Sequence, residues 1–436
     1  MTRPTVNTLN KSYSGTEIVS PLEDAILYEY VGARPKAKSA EPIVGPWSRS
    51  RVIEVSVHDT IGELEQVWLE LQEEGDATAF QSFAWIAAWQ RHIGGREGIR
   101  PCVAVGWGQD GKAQFILPLG IQKSLFLRRL VWLGGSLSDY QGPLLARTFT
   151  RLVGGQFPRL WRDIRAMLPR HHVVSLGRMP DMVGAQANPF LMLDGLAPHA
   201  SNAHFTRLKP EWQGYYDAKR SSGSKKRDRQ KRRKMEELGA VKWVVPQTAS
   251  DRLASFDALV TQKSRAFERM GVGNFLGKPG YLDFYRDLLS DPAAADLVHV
   301  SHLQVGDDIV AANWGLSFQK RYSYVLASYD ETHDASRLGP GMIQLMELMS
   351  HVTQTGHDIF DFTIGDEGYK DQWCEVEVPL YDHLAAEGLL GRAALMPQLG
   401  FMRLKRFIKQ TPLLWNWFTR TRAALASFPG PRGAGI

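Results

Sequence analysis

Two stretches of this chain, about 200 residues apart, carry the same order of structural signals. In the first, RPCVAVGWGQDGKAQFILPLGIQKS reads as two β runs joined across Gly108-Gln109-Asp110-Gly111, a strong hairpin signal. RRLVWLGG adds a third run and leads into Ser138-Asp139-Tyr140-Gln141-Gly142-Pro143. In the second, LVHVSHLQVGDDIVAANWGLSFQKRYSYVLASYD gives three strands with turns at Gly306-Asp307-Asp308 and Gln319-Lys320-Arg321, then a loop, a helix and one more strand. The first copy opens with a short alternating strand, RVIEVSV. Two helical patterns follow: IGELEQVWLELQEE, with Leu64, Val67, Trp68 and Leu71 at helical spacing, and FAWIAAWQRHIGG, closing on Gly94-Gly95. The repeated order predicts two α+β domains in tandem over residues 51–200 and 201–388, each a mainly antiparallel mixed sheet flanked by helices.

Composition excludes several classes. A chain of 436 residues with 44% hydrophobic content can bury large cores. Its two cysteines, Cys102 and Cys374, are too few for a disulfide framework, so a reducing compartment is expected. The opening residues lack an apolar signal-peptide core, and no run of 18 apolar residues exists. A cytoplasmic protein is expected, or one touching the inner face of a membrane only peripherally. Residues 1–50 mix Pro, Gly, Ser and Lys with little periodicity and read as a disordered leader. No metal is expected, because His171-His172, His299 and His302, and His351 and His357 have no acidic partners at ligand spacing.

The formal charge of +6 is unevenly spread. Ten of the sixteen residues from Lys219 to Lys234 are basic, which predicts a solvent-facing helix over 219–238 linking the two domains. Such a helix suits an anionic ligand, a nucleic acid, or simply solvent. A second basic region, 389–436, interleaves Phe401, Leu404, Phe407, Trp415 and Trp417 with cations and predicts amphipathic helices. That pattern fits either a membrane surface or packing back on the second domain.

The most informative local pattern is SRLGPGMIQLMELMSHVTQTG, residues Ser336 to Gly356. Gly339 and Gly341 bracket Pro340, and an amphipathic helix follows. Glycines admit close approach of a ligand to the backbone, and a helix N-terminus offers unpaired N–H groups to an anion such as pyrophosphate. An ordinary strand-to-helix turn has the same look. Neither a Walker loop nor a dinucleotide fingerprint is present.

An antiparallel meander, a glycine loop opening a helix and a further strand resemble the GNAT acyltransferase fold. There the loop reads Gln/Arg-x-x-Gly-x-Gly/Ala and its amides hold the pyrophosphate of acetyl-coenzyme A. Ser336-Arg337-Leu338-Gly339-Pro340-Gly341 matches at both glycines and departs at Ser336; Pro340 also removes one amide. FQSFAWIAAWQRHIGG, SDYQGPLL, KKRDRQKRRKMEELGAVKW, LASYDETHDASRLGPGMIQL and FDFTIGDEGYKDQWCEVEVPLYDH resemble the CelD-like GNAT proteins, named for a link to cellulose biosynthesis. These in turn resemble the tandem GNAT folds of FemAB-type transferases, which use aminoacyl-tRNA. The resemblance implies acyl-coenzyme A as co-substrate, with Arg337, Gly339, Gly341 and Met342 around it. It also implies a saccharide or amine acceptor in exopolysaccharide or envelope metabolism. Two alternatives are a tRNA-dependent transferase and a non-catalytic accessory protein of polysaccharide synthesis.

In FDFTIGDEGYKDQW an apolar strand runs into Asp366, Glu367, Tyr369 and Lys370. Acyl transfer needs a base for the acceptor and a proton donor for the leaving thiolate. Asp366 or Glu367 is the expected base, Tyr369 the donor, and Lys370 the holder of an anionic acceptor or of developing charge. An acidic turn with a solvated lysine is the bland alternative. Asp361, set between Phe360 and Phe362, is expected to be hydrogen-bonded within the strand. Asp139, Tyr140, Asn313, Tyr329 and Trp373 are the expected acceptor-binding residues.

Overall fold

The computed structural model describes Ile43–Val44 and residues 52–124 and 126–397. Nearly all of the expected leader, and the tail from residue 398, lie outside the described residues. Of the tail, residues 388–397 are helical, with Leu389 and Met396 exposed.

The mixed α+β fold expected from the sequence is what forms. The first half builds a five-stranded sheet, whose middle strands are Val103–Gly108 and Ala113–Leu117, and most of a six-stranded sheet. The sequence reads residues 100–124 as two strands; the structure divides them into four. Pro118 has no N–H to donate to a ladder, and the chain leaves one sheet there for the other. Cys102, on the facing strand, bends at the same level and donates its N–H to Leu119 O at 2.8 Å. The hairpin thus crosses as a unit between the sheets.

The second half builds a seven-stranded sheet from β1 (Ala203–Arg207), β2 (Val241–Val244), β3 (Val298–Val305), β4 (Asp308–Phe318), β5 (Arg321–Tyr329), β6 (Ile359–Ile364) and β7 (Val376–Val378), in the order β2-β3-β4-β5-β6-β1-β7. The helices are α1 (Ser222–Glu236), α2 (Ala249–Arg269), α3 (Tyr281–Ser290) and α4 (Pro340–Gln354). All pairings in this sheet are antiparallel except β5 with β6, which α4 connects as a crossover.

The halves are not separate. Strand Leu380–Ala386, late in the chain, pairs with Val173–Pro180 and completes the six-stranded sheet of the first half. One apolar cluster also runs through both halves. Trp85 packs edge-on against Phe284 with ring centroids 4.8 Å apart, and Tyr285 against Trp314 at 5.0 Å. Aromatic rings of this size bury enough surface to make that junction a core.

Candidate functional site

The sheet opens where its only parallel pair ends. Strands β5 and β6 pair over Arg321–Ser323 and Ile359–Asp361 and then part. Two irregularities accompany the parting. Between Trp314 and Gly315 the β4–β5 register slips by one, leaving Val325 unmatched. On β6, Phe362 and Thr363 together oppose the single residue His204 of β1, and Thr363 sits at φ 57°. A β-branched residue in the left-handed region is strained by about 1–3 kcal/mol, so its surroundings must hold it there. Asp361 does part of this by accepting the Thr363 N–H at 2.8 Å.

Between the parted strands lies a cleft of about 900 Å³, walled by β5 from Tyr324 to Tyr329, by β6 from Phe362 to Ile364, and by Gly339, Pro340, Gly341 and Met342 at the start of α4. Gly339 caps that helix at φ 71°, which favours glycine, and no side chain caps the first turn. Gly341 has no such backbone demand, and a Cβ there would stand 3.5 Å from Tyr329, an ordinary contact. Its value to a site is close backbone approach alone.

The first half supplies one wall. Gly134 and Gly135, at φ 93° and 53°, turn the chain sharply after strand Leu127–Trp132. Arg178 then holds the next loop by donating to Ser136 O and Ser138 O at 2.9 and 3.0 Å, and Trp85 Nε1 donates to Ser138 Oγ at 2.8 Å. This delivers Asp139 to the cleft, which Thr363 also lines. Burial pushes the Asp139 carboxyl up to about 6, outweighing the opposing pull of Arg178, Thr363 and Lys370. A carboxyl poised there is a base at neutral pH and an acid just below it.

Of the expected catalytic group, Glu367, Tyr369 and Lys370 line the cleft and Asp366 does not. Asp366 is exposed and lies 3.3 Å from His204 Nε2. Lys370 is buried, and its ammonium donates to Thr363 O, Ile364 O and Gly365 O at 3.3, 3.2 and 3.1 Å and pairs with Glu367 at 2.8 Å. Its donors are therefore spent on the end of β6, which corrects the expectation that it holds an anionic acceptor: it clamps the loop that carries Glu367 and Tyr369. Burial keeps the Tyr369 phenol well above its usual range, so it stays protonated and able to donate.

Among the expected acceptor-binding residues, Asp139 and Tyr329 face the cleft, whereas Tyr140, Asn313 and Trp373 lie elsewhere. Tyr140 donates to Asp361 Oδ1 at 3.0 Å, and Arg321 binds the other Asp361 oxygen at 2.6 Å. Asp361 has the structural role expected of it. Asn313 is fully buried, bonded to Ser301 Oγ at 2.6 Å, Gln344 Nε2 at 2.8 Å and Tyr322 Oη at 2.7 Å. Trp373 stacks on Tyr215 in a separate core beneath Arg220. Arg337 is exposed beside the loop, outside the cleft wall.

Sequence reasoning missed Lys263, Gln344 and Thr363. Lys263 of α2 lines the cleft, donates to Ala327 O at 3.0 Å, and is held below its usual range by burial. Gln344 has both Nε2 protons committed to Ser301 and Asn313, and its buried Oε1 has no hydrogen-bond partner among the described residues. A lysine or glutamine within an amphipathic helix carries no sequence signal that separates it from its solvent-facing neighbours. No group of side chains suited to a metal ion occurs among the described residues, and no helix among them is long and apolar enough to cross a membrane.

Residues 222–371 match the acetyltransferase (GNAT) domain family. No curated protein matches the chain. Among solved structures, FemX is similar at 10% identity over 75% of this chain and 97% of its own, with a TM-score of 0.51. The C-terminal domain of a putative lysylphosphatidylglycerol synthetase from Agrobacterium fabrum is 14% identical over 77% of this chain and 96% of its own, at 0.45. A tandem GNAT protein from the clavulanic acid biosynthesis pathway is 11% identical over 77% and 98%, at 0.38. At such identities FemX speaks for the fold alone, and residues 222–371 are similar to a GNAT acetyltransferase domain.

Proposed function

We propose that the cleft transfers an acetyl or related acyl group from acyl-coenzyme A to an amine or hydroxyl acceptor. The observation that carries this reading is the parting of β5 and β6 beside an uncapped helix N-terminus opened by Gly339. The gap offers strand edges to the amides of an extended donor arm, and the helix end offers N–H groups to its pyrophosphate. The same arrangement leads the acyl group toward Asp139, Thr363 and Tyr369.

The step follows from those groups. The Asp139 carboxylate takes a proton from the acceptor N–H or O–H as its lone pair attacks the thioester carbonyl carbon. The tetrahedral centre collapses with cleavage of the C–S bond, and the Tyr369 phenol gives its proton to the departing thiolate. Geometry favours Asp139 over Glu367 as base, because Glu367 sits exposed at the cleft mouth in an ion pair with Lys370. The motifs that resemble CelD-like proteins favour a saccharide acceptor in exopolysaccharide or envelope metabolism. The test is release of free thiol from acetyl-coenzyme A against amino sugars, sugar alcohols and small amines. Acceptor-dependent release that falls sharply in Tyr369→Phe supports the reading; no release with any acceptor counts against it.

A second reading, transfer from an aminoacyl-tRNA, is favoured by the exposed cations of α1. Charged tRNA as donor in the same assay decides between them. The basic aromatic tail invoked for membrane contact lies mostly outside the described residues.

A further inference from the structure

The three most exposed large apolar side chains among the described residues are Phe126 and Leu389, each 84% exposed, and Met396, 72% exposed. They are far apart in sequence, yet the elements that carry them meet at one residue. Phe126 stands at the tip of the hairpin joining strand Leu119–Ser124 to strand Leu127–Trp132. His172 donates its N–H to Arg128 O at 2.9 Å and accepts the Arg128 N–H on Nδ1 at 3.1 Å. The His172 carbonyl accepts the Glu387 N–H at 2.7 Å, and a Cβ on Gly391 would collide with that oxygen. Helix 388–397 therefore starts against the base of the hairpin. On it Leu389, Ala393 and Met396 fall at i, i+4 and i+7 and are exposed, while Gly391 is buried. The outward face is apolar, and groups held this far from the cores add almost nothing to the fold.

The charge around these side chains selects the occupant. Lys123 and Arg128 are exposed and lie directly opposite each other across the hairpin, where like charges destabilise a strand pair. Arg170, two residues before His172, and Arg392, three after Leu389, are exposed too, and none of the four forms an ion pair among the described residues. The carboxylates on segments bonded to this edge are already held, Glu387 by Arg165 at 2.8 Å and Glu97 by the Tyr281 hydroxyl at 3.0 Å. The chain's own tail does not complement such a rim, since residues 392–422 carry seven basic side chains and no acidic one.

We propose that this edge docks on an anionic lipid surface, with Phe126, Leu389 and Met396 entering the headgroup region and Lys123, Arg128, Arg170 and Arg392 meeting lipid phosphates. Apolar groups rimmed by cations suit that interface, and each cation near it contributes about fivefold in affinity. The proposal goes beyond the acyl-transfer reading and uses none of the cleft residues.

The test is flotation of the full chain at low salt with vesicles of phosphatidylcholine alone or in equimolar mixture with phosphatidylglycerol. The wild type should partition at least tenfold more strongly onto the anionic vesicles. Phe126→Asp and Leu389→Asp/Met396→Asp should each weaken that partitioning at least tenfold, whereas Phe126→Leu should float like the wild type. Lys123→Ala/Arg128→Ala/Arg170→Ala/Arg392→Ala should lose the preference for anionic lipid. Circular dichroism should show the variants folded, since every changed side chain is exposed. A wild type that does not float, or floats equally with both vesicles, overturns the proposal, as does a charge variant that keeps the preference. Undiminished flotation of Phe126→Asp assigns the binding to another part of the chain and overturns it. A wild-type dimer in light scattering that Phe126→Asp dissolves assigns the edge to a second copy and also overturns it.

Discussion

At the residue scale, Asp139 joins two effects that pull apart. Its folded-state carboxyl, pushed up to about 6, lies above the roughly 4 of an unfolded chain. The fold therefore favours the protonated form, and stability present at low pH is lost as pH rises from about 4 through 6. Asp139→Asn removes the buried charge and should raise stability at pH 7.5 by about 1–2 kcal/mol, read as a denaturant midpoint. The same change should cut turnover by about 10²–10⁴-fold. In the wild type, kcat/KM should fall about tenfold per pH unit below 6, and the variant's residual rate should lack that limb. A variant that is both less stable and fully active would show Asp139 to be a structural hydrogen-bonding group. The candidacy of Asp139 was legible from its place after a strand, but not its role. That role depends on burial beside Thr363, a residue more than 200 positions away in sequence.

At the element scale, the helices and most strands follow from periodicity. The deviations occur where one residue overrides a pattern. Pro118 divides a strand, and the bulge at Phe362–Thr363 lies inside a segment that reads as unbroken β. The glycine loop was legible as a pair of glycines, but only the structure separates their duties. Gly339 must adopt positive φ, and Gly341 need only stay small. Gly339→Ala should therefore cost about 1 kcal/mol of stability in the absence of any ligand. Gly341→Val should leave stability within about 1 kcal/mol and weaken acetyl-coenzyme A binding at least tenfold, checked by thermal shift with and without ligand. Equal ligand-induced shifts in Gly341→Val and wild type would take the loop out of the donor site.

At the scale of the whole molecule, the repeated order of signals predicts a tandem organisation, whereas the welding of the halves leaves no mark in that order. Periodicity shows which face of an element is apolar and nothing about which distant element covers it. Trp85 looks like one more helix tryptophan, yet it packs against Phe284 and Trp314, and Leu380–Ala386 crosses back to finish the first half's sheet. Trp85→Ala should destabilise the protein by about 3–5 kcal/mol. Because the cluster is shared, fluorescence and circular dichroism should report the loss in one coincident transition. Two separate transitions, with only the first moved by the mutation, would mean the halves fold independently.

In the proposed function the gap between β5 and β6 receives an acyl-coenzyme A. Hydrogen exchange of the full chain with and without 1 mM acetyl-coenzyme A tests it most directly. Slowed exchange confined to residues 136–139, 324–329, 339–345 and 363–370 is expected, with 1:1 binding in parallel titration. Protection elsewhere, or none at saturating concentration, would contradict it.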